Sequence, residues 1–316
     1  MSKILVTGGT GTIGRMVCRK LYANGNEVVV LSRDHGKQLV NCPRMIHEVG
    51  RIEDEHFVQH VIRKHKVHGV IHTAANKHIG VCEDRPTEAV SSNVIGSLNI
   101  LRAMESNNVQ HGVFVSSDKA CNHNHVYGIT KYLMEKLVAE YADRLTSVNC
   151  VRFGNVFGSS GSVVPIWQSL IDQGRDIELR IFDNEVVPKR LAMLPSEAAC
   201  FLLGVYDNPA VVENGTVLMH REEVMVNMKF LAEAMIEGTP SKIHEVPAMK
   251  MEAERECLFS LDEADRIESN QHLKAYELTH RSTRRSLAWS RLIRHMDFDQ
   301  TKEFIIKVKK EMKEWI

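Results

Sequence analysis

The chain is predicted to fold as an α/β protein, a doubly wound parallel sheet joined to a smaller C-terminal substrate-binding lobe. Three observations predict it. Short apolar runs alternate with helix-length amphipathic stretches through the first half, a glycine-rich turn follows the first run, and the alternation loosens after about residue 160. The strands expected are Lys3 to Thr7, Glu27 to Ser32, Gly69 to Thr73, Gly112 to Ser116 and Ser147 to Arg152. Helices are expected at Gly14 to Ala23, Asp54 to Lys66, Glu88 to Ser106 and Tyr127 to Tyr141, each with apolar residues three and four apart. Residues 1–164 form the expected dinucleotide-binding domain, with a return of the chain near 194–222, and residues 165–316 the lobe and C-terminal helices. The charged stretch Pro247 to Arg285 is weakly periodic and is assigned no structure.

Composition narrows the function. Lys plus Arg and Asp plus Glu are 40 each among 316 residues, so no basic surplus marks a general nucleic-acid binder. The seven cysteines are scattered without a CxxC pair, which predicts reduced thiols and a cytoplasmic setting. The apolar run Ile4, Leu5, Val6 enters a glycine turn at once. It is too short for a signal peptide or membrane span and reads as the first strand. His56 and His60 stand at helical spacing but no further ligand completes a set, so no metal site is expected.

The first strand runs into Thr7-Gly8-Gly9-Thr10-Gly11-Thr12-Ile13-Gly14. Glycines at 8, 11 and 14 keep side chains out of a turn where backbone N–H groups and the positive end of a helix can meet a pyrophosphate. Gly8, Thr10, Gly11, Thr12, Ile13 and Gly14 are therefore candidate cofactor contacts. The second strand ends in Ser32-Arg33-Asp34, with Lys37 following. A guanidinium at 33 suits a 2'-phosphate, which favours NADP through Ser32, Arg33 and Lys37, whereas Asp34 at the ribose keeps NAD open.

The fourth strand of this reading ends in Ser116-Ser117-Asp118-Lys119, and Tyr127 and Lys131 lie one turn apart at the start of the next helix. An ammonium beside a phenol lowers its pKa, so Tyr127 with Lys131 can take a hydroxyl proton while hydride leaves the adjacent carbon, and Ser117 can bind the same oxygen.

These residues carry a resemblance. Ala74-Ala75-Asn76-Lys77-His78, Asn93-Val94-Ile95-Gly96-Ser97, Ser116-Ser117-Asp118-Lys119-Ala120-Cys121-Asn122, Tyr127-Gly128-Ile129-Thr130-Lys131 and Arg152-Phe153-Gly154-Asn155-Val156-Phe157-Gly158-Ser159 are similar to segments of the extended short-chain dehydrogenase/reductase family, whose fold is of the Rossmann type. They resemble most the inverting UDP-N-acetylglucosamine 4,6-dehydratases of pseudaminic acid synthesis. The resemblance implies a lyase in which Asp118 and Lys119 eliminate water after transient oxidation at C4, with inversion at C5. It implies that Ala74, Ala75, Lys77 and Asn93 line or prop the cofactor side, that Lys77, Asn155, Arg190 and Lys242 meet the substrate, and that Glu83 lies near the site.

Tyr127 stands where membrane-bound relatives often carry Met, which points to the soluble form. The helices over 88–106 and 127–141 resemble those that pair subunits, implying a homo-oligomer. This chain departs from the pattern at Ser160, where relatives carry Arg, in the segment Gly238 to Glu245, and at Arg51, where they place Asp next to the adenine. Two other readings stand beside the dehydratase: a nucleotide-sugar 4-epimerase or reductase using the same Ser, Tyr and Lys, and a non-catalytic NADP-binding regulator.

Overall fold

The computed structural model describes residues 2–121, 123–249, 252–279 and 293–313. Its strands are β1 Lys3–Thr7, β2 Glu27–Ser32, β3 Ile46–Val49, β4 Gly69–His72, β5 His111–Val115, β6 Ser147–Arg152, β7 Asn155–Val156, β8 Ile177–Ile181, β9 Lys189–Met193, β10 Val217–His220, β11 Val224–Asn227, β12 Ile243–Pro247, β13 Ile267–Asn270, β14 Ala275–Leu278 and β15 Arg294–His295. The helices are α1 Thr12–Ala23, α2 His35–Asn41, α3 Glu55–His65, α4 Ile79–Asp84, α5 Pro86–Val90, α6 Gly96–Ser106, α7 Val126–Tyr141, α8 Val163–Asp172, α9 Pro195–Asp207, α10 Met228–Ile236 and α11 Phe298–Lys313.

The chain divides into two compact units. The first takes residues up to 152, 199–220 and the described residues from 258 to 279. It holds a nine-stranded sheet in the order β13-β14-β10-β6-β5-β4-β1-β2-β3. The strands from β10 through β3 pair in parallel, and β14 and β13 close one edge antiparallel. Ile4, Leu5, Val6, Val29, Val30, Val70 and Ile71 are fully or almost fully buried, as continuous apolar runs must be when both faces of a parallel sheet are covered. Chain order reverses between β1 and β4, and in such sheets ligands bind beyond the carboxyl ends of the strands at that switch point.

The second unit takes 153–198, 221–257 and the described residues from 293 onward. A four-stranded sheet, β15-β11-β9-β7, and the pair β12-β8 accompany α8, α10 and α11. Its core gathers Phe157, Trp167, Leu179, Leu231, Met235 and Phe304. Met225, Met228 and Met235 of this unit are also buried.

Four expectations change. The first unit ends at Arg152 rather than 164, because the Phe153–Gly154–Asn155 run leaves β6 and joins β9 through β7. Residues 258–279, to which the sequence assigns no structure, return to the first unit as a 3-10 turn and the β13–β14 hairpin; residues 280–285 of that stretch lie outside the described ones, as does Asn122. Strand β3 is not anticipated, since its burial shows no alternation for a pattern to reveal. The helix expected over 88–106 is interrupted by a π turn at Ser91–Ile95 between α5 and α6. Such single-turn insertions occur often at functional sites.

Candidate active site

The glycine turn is built as tightly as its sequence implies. Gly8 has φ +67° and its N–H donates to Leu31 O at 2.9 Å. A Cβ on Gly14 would stand 2.4 Å from Gly8 O, and one on Gly8 would stand 2.8 Å from Ala74 Cα. Gly11 caps α1 with no side-chain hydrogen bond, so the cradle opens onto a helix N-terminus whose first turn contains no acid. Asn41, which sequence reasoning missed, holds this turn from α2: its Nδ2 donates to Thr10 O at 3.2 Å and its Oδ1 accepts from Arg15 Nη1 at 3.1 Å. No local pattern could have found contacts that span 26 and 31 residues. These features fit a dinucleotide pyrophosphate on Gly8, Thr10, Gly11, Thr12, Ile13 and Gly14.

At the end of β2, Ser32 is buried and Arg33 is exposed. Asp34 is the N-cap of α2. Its Oδ1 accepts from Lys37 N at 3.0 Å and its Oδ2 lies 3.6 Å from Lys37 Nζ. The Lys37 N–H, with the nearby ammonium, holds the Asp34 carboxyl below its usual value. Arg33 forms no hydrogen bond or ion pair with the described residues.

A buried polar relay links the end of β1 to α7. Thr7 Oγ1 meets His72 Nδ1 at 2.7 Å, His72 Nε2 meets Ser97 Oγ at 3.0 Å, and Ser97 Oγ donates to Asn93 O at 2.7 Å. Because Ser97 spends its proton on Asn93, it must accept from His72 Nε2–H, which leaves Nδ1 to accept from Thr7. The ring is therefore neutral, and burial, helped by the Lys131 charge, pulls its pKa down to about 3. Asn93, fully buried in the π turn, accepts from Asn76 N at 2.7 Å and donates to Asn76 O at 2.9 Å and Thr130 Oγ1 at 3.0 Å. It pins the loop after β4, which carries Ala74, Ala75 and exposed Lys77, to α7.

The turn after β5 brings the remaining groups together. Ser117 Oγ donates to Asp118 Oδ1 at 2.8 Å, and Lys119 Nζ donates to Asp118 Oδ2 at 2.7 Å. Asp118 is buried while Lys119 keeps 15% of its side chain exposed, so the amine is the member that faces outward. Tyr127 is buried. Burial raises its pKa to about 12, opposed by a hydrogen bond with Ser117 and by the Lys119 charge.

This corrects the expectation that Lys131 turns Tyr127 into a ready base. Lys131 Nζ instead donates to Val115 O at 2.6 Å, and burial lowers its own pKa to about 8. In this arrangement Lys119 is the lysine whose charge favours the phenolate, and burial outweighs it.

Two further residues hold α7. Glu83 Oε1 accepts from Val126 N at 2.5 Å, and His125 Nδ1 accepts from Gly128 N at 2.9 Å. Behind the turn, Arg152 is fully buried between Glu135 and Glu263, with Nη2 to Glu135 Oε2 at 2.5 Å and Nη1 to Glu263 Oε2 at 2.9 Å; Glu135 also accepts from Ser116 Oγ at 2.5 Å. His125 and Arg152 carried no signal by spacing, since a cap shows only in backbone geometry and Glu263 lies 111 residues from Arg152.

Of the residues expected at the substrate, one shares a unit with this cluster and three do not. Lys77 belongs to the first unit, and Asn155, Arg190 and Lys242 belong to the second. Asn155 Nδ2 donates to Glu256 Oε2 at 2.6 Å, and Arg190 lies 3.6 Å from Glu256 and 3.7 Å from Glu252 while donating to Ala253 O at 2.7 Å. The Arg190 charge, expected at the substrate, is thus already faced by two carboxylates. Lys242 is exposed on the chain entering β12, in a different sheet from Asn155 and Arg190. Arg51 pairs with Glu53 at 3.4 Å.

The parallel sheet and the glycine turn at its switch point define a Rossmann-type fold. Comparison with known proteins gives the family. The chain belongs to the polysaccharide biosynthesis protein family, whose model matches residues 4–270.

It is 36% identical over 194 residues to a UDP-N-acetylglucosamine 4,6-dehydratase (inverting) of Campylobacter jejuni subsp. jejuni serotype O:2, covering 58% of this chain and 57% of that protein. It is 34% identical over 190 residues to a UDP-glucose 4-epimerase of Rickettsia rickettsii, covering 56% and 55%. The chain thus spans somewhat more than half the length of the curated relatives it matches. Among solved structures it is similar in fold to Pen from Bacillus thuringiensis, with TM-score 0.87 and 24% identity over 98% of each chain. A UDP-glucose 4-epimerase of Thermus thermophilus in complex with NAD is similar at TM-score 0.71 and 22% identity, over 82% of this chain and 90% of that one. Among the described residues no helix is long and apolar enough to cross a membrane.

Proposed function

We propose that this chain is an NADP-dependent nucleotide-sugar 4,6-dehydratase that converts UDP-N-acetylglucosamine with inversion at C5. The observation that carries the reading is the Asp118–Lys119 pair, 2.7 Å apart and close enough to Tyr127 to act on its ionisation. A 4-epimerase needs Ser117, Tyr127 and Lys131 but has less use for an acid and an amine in contact. The likeness to the Campylobacter dehydratase supports it.

Bound NADP supplies the hydride acceptor for C4 and the donor that returns the same hydride to C6, so cofactor is not consumed. Ser117 holds the C4 oxygen and Tyr127 takes its proton, helped by the positive charge of Lys119. Oxidation at C4 acidifies the C5 proton. Transfer of one proton from Lys119 Nζ to Asp118 Oδ2 converts the ion pair into a neutral amine and a carboxylic acid. Lys119 then removes the C5 proton while Asp118 protonates the C6 hydroxyl, which leaves as water. Lys119 returns a proton to C5 when C6 is reduced.

The test is incubation with UDP-N-acetylglucosamine and catalytic NADP in deuterated water. A 4-keto-6-deoxy product with deuterium at C5 and no net reduction of cofactor is expected; C4 epimerisation alone would establish the epimerase reading instead.

The preference for NADP rests on Arg33, exposed at the end of β2, while Asp34 is occupied as a cap. Arg33→Ala is expected to weaken NADP binding by roughly ten- to a hundredfold, the size of one lost charge-assisted contact, and to change NAD binding little. Equal titration curves for NADP in both proteins would assign the ribose to Asp34 and the cofactor to NAD. A homo-oligomer is part of the same reading. Val90, Ile95, Ile129 and Leu133 are each 42–43% exposed on the adjoining α5, π turn and α7, an apolar face suited to a second copy.

A further inference from the structure

The turn that carries Tyr127 is held by two side-chain acceptors of different chemistry. Glu83, from α4, takes the Val126 N–H, and His125 takes the Gly128 N–H through Nδ1 at 2.9 Å. The His125 ring also lies nearly parallel to the Tyr127 ring, 12° between planes with centroids 6.2 Å apart, so the same imidazole fixes both the backbone and the flank of the phenol. Ring and cap are buried.

An imidazole can accept at Nδ1 only while neutral; once protonated, both nitrogens are donors and Nδ1–H would point at the Gly128 N–H. The charged groups facing it are Lys119 on the turn after β5 and Glu83 on α4, with the Tyr127 phenol on its own helix. Burial disfavours the cation most, Lys119 adds to that, and Glu83 opposes it. The positive end of α7 acts in the same direction as Lys119.

We infer that His125 is a pH-gated positioning residue for Tyr127, its neutral ring capping α7 and seating the phenol, its protonation releasing both. The inference rests on the reading that Tyr127 works on the sugar hydroxyl. Acidic conditions then lower the rate by loosening the first turn of α7. The consequence for stability has a definite sign. His125 binds a proton less readily in the folded chain than its ordinary value of about 6.5, so below that pH the unfolded chain takes up more protons and stability falls as pH falls toward the lowered folded value.

The experiment compares the whole protein with His125→Asn and His125→Ala. Asparagine can cap through Oδ1 but has no proton to gain. Product formation and melting temperature are followed from pH 5.5 to 8.5. At pH 8, His125→Ala should lose about five- to tenfold in kcat, the size of one missing cap, with a smaller change in KM, and His125→Asn should recover most of it. Toward the acid end of that range the unsubstituted protein should show an acid limb in kcat and a fall in melting temperature that His125→Asn lacks. Identical acid limbs and identical melting profiles in the protein and His125→Asn overturn the inference, as does an undiminished rate in His125→Ala. If the unsubstituted protein makes no 4-keto-6-deoxy product, the dehydratase reading fails by itself. The pH dependence of melting in the protein against His125→Asn then still decides whether His125 caps α7 only when neutral.

Discussion

Lys119→Ala stops elimination while leaving hydride exchange at C4 in place: formation of the 4-keto-6-deoxy product is expected to fall by about 10²- to 10⁴-fold, the usual contribution of a positioned acid–base group. The reason lies in where the amine sits. Asp118 is buried and accepts from both Ser117 and Lys119, so the side chain with access to a substrate carbon is Lys119. Alanine removes that base and strands the Asp118 proton donor without its partner. Ser117 and Tyr127 keep their hydrogen bond, and oxidation at C4 continues more slowly because the Lys119 charge no longer favours the Tyr127 phenolate. Substrate deuterated at C4 reads the two steps apart: label scrambles into the cofactor pool while no dehydrated sugar accumulates. Normal product formation by the variant would remove Lys119 from the mechanism.

The largest effect on stability is expected from Arg152→Leu. Arg152 has no exposed surface and donates to Glu135, Glu263 and Leu258 O. Burial pushes the Glu263 carboxyl up, but the Arg152 charge and hydrogen bonds hold it below its usual value. Removing the guanidinium leaves two buried carboxylates facing each other, at a cost of about 3–5 kcal/mol and a fall in melting temperature of roughly 10 °C.

The pH dependence then changes sign. In the natural chain the lowered Glu263 value contributes stability that is present above the unfolded value of about 4.3 and is lost as pH falls through the folded value. In Arg152→Leu the carboxyls gain protons on folding, so stability is lost as pH rises, and denaturant unfolding should show a larger deficit at pH 8 than at pH 5.5. A deficit below about 1 kcal/mol, the worth of an exposed pair, would show that the network does not hold the 258–279 segment to β6.

The parallel sheet was legible because its signals are local. Fully buried strands read as unbroken apolar runs, and β1, β2 and β6 begin and end where those runs do. The glycines at 8 and 14 were legible because the backbone leaves no room for a Cβ there. Tyr127 and Lys131 were placed on one helix by their spacing alone. The domain boundary, β3 and the π turn were not legible, since each depends on which segment packs alongside and not on any period in the chain.

What the sequence by itself determined is therefore the order of strands and helices, the glycine cradle, and the set of residues gathered after β5 and at the start of α7. Tertiary structure decided how those residues are charged and held. Burial raises Tyr127, turns Lys131 toward Val115 O and leaves Lys119 as the effective cation, while Asn93, His125 and Arg152 find partners that no spacing announced. Periodicity is written along the chain and survives in any conformation that respects it, whereas desolvation and hydrogen-bond partnership exist only between segments brought together by folding.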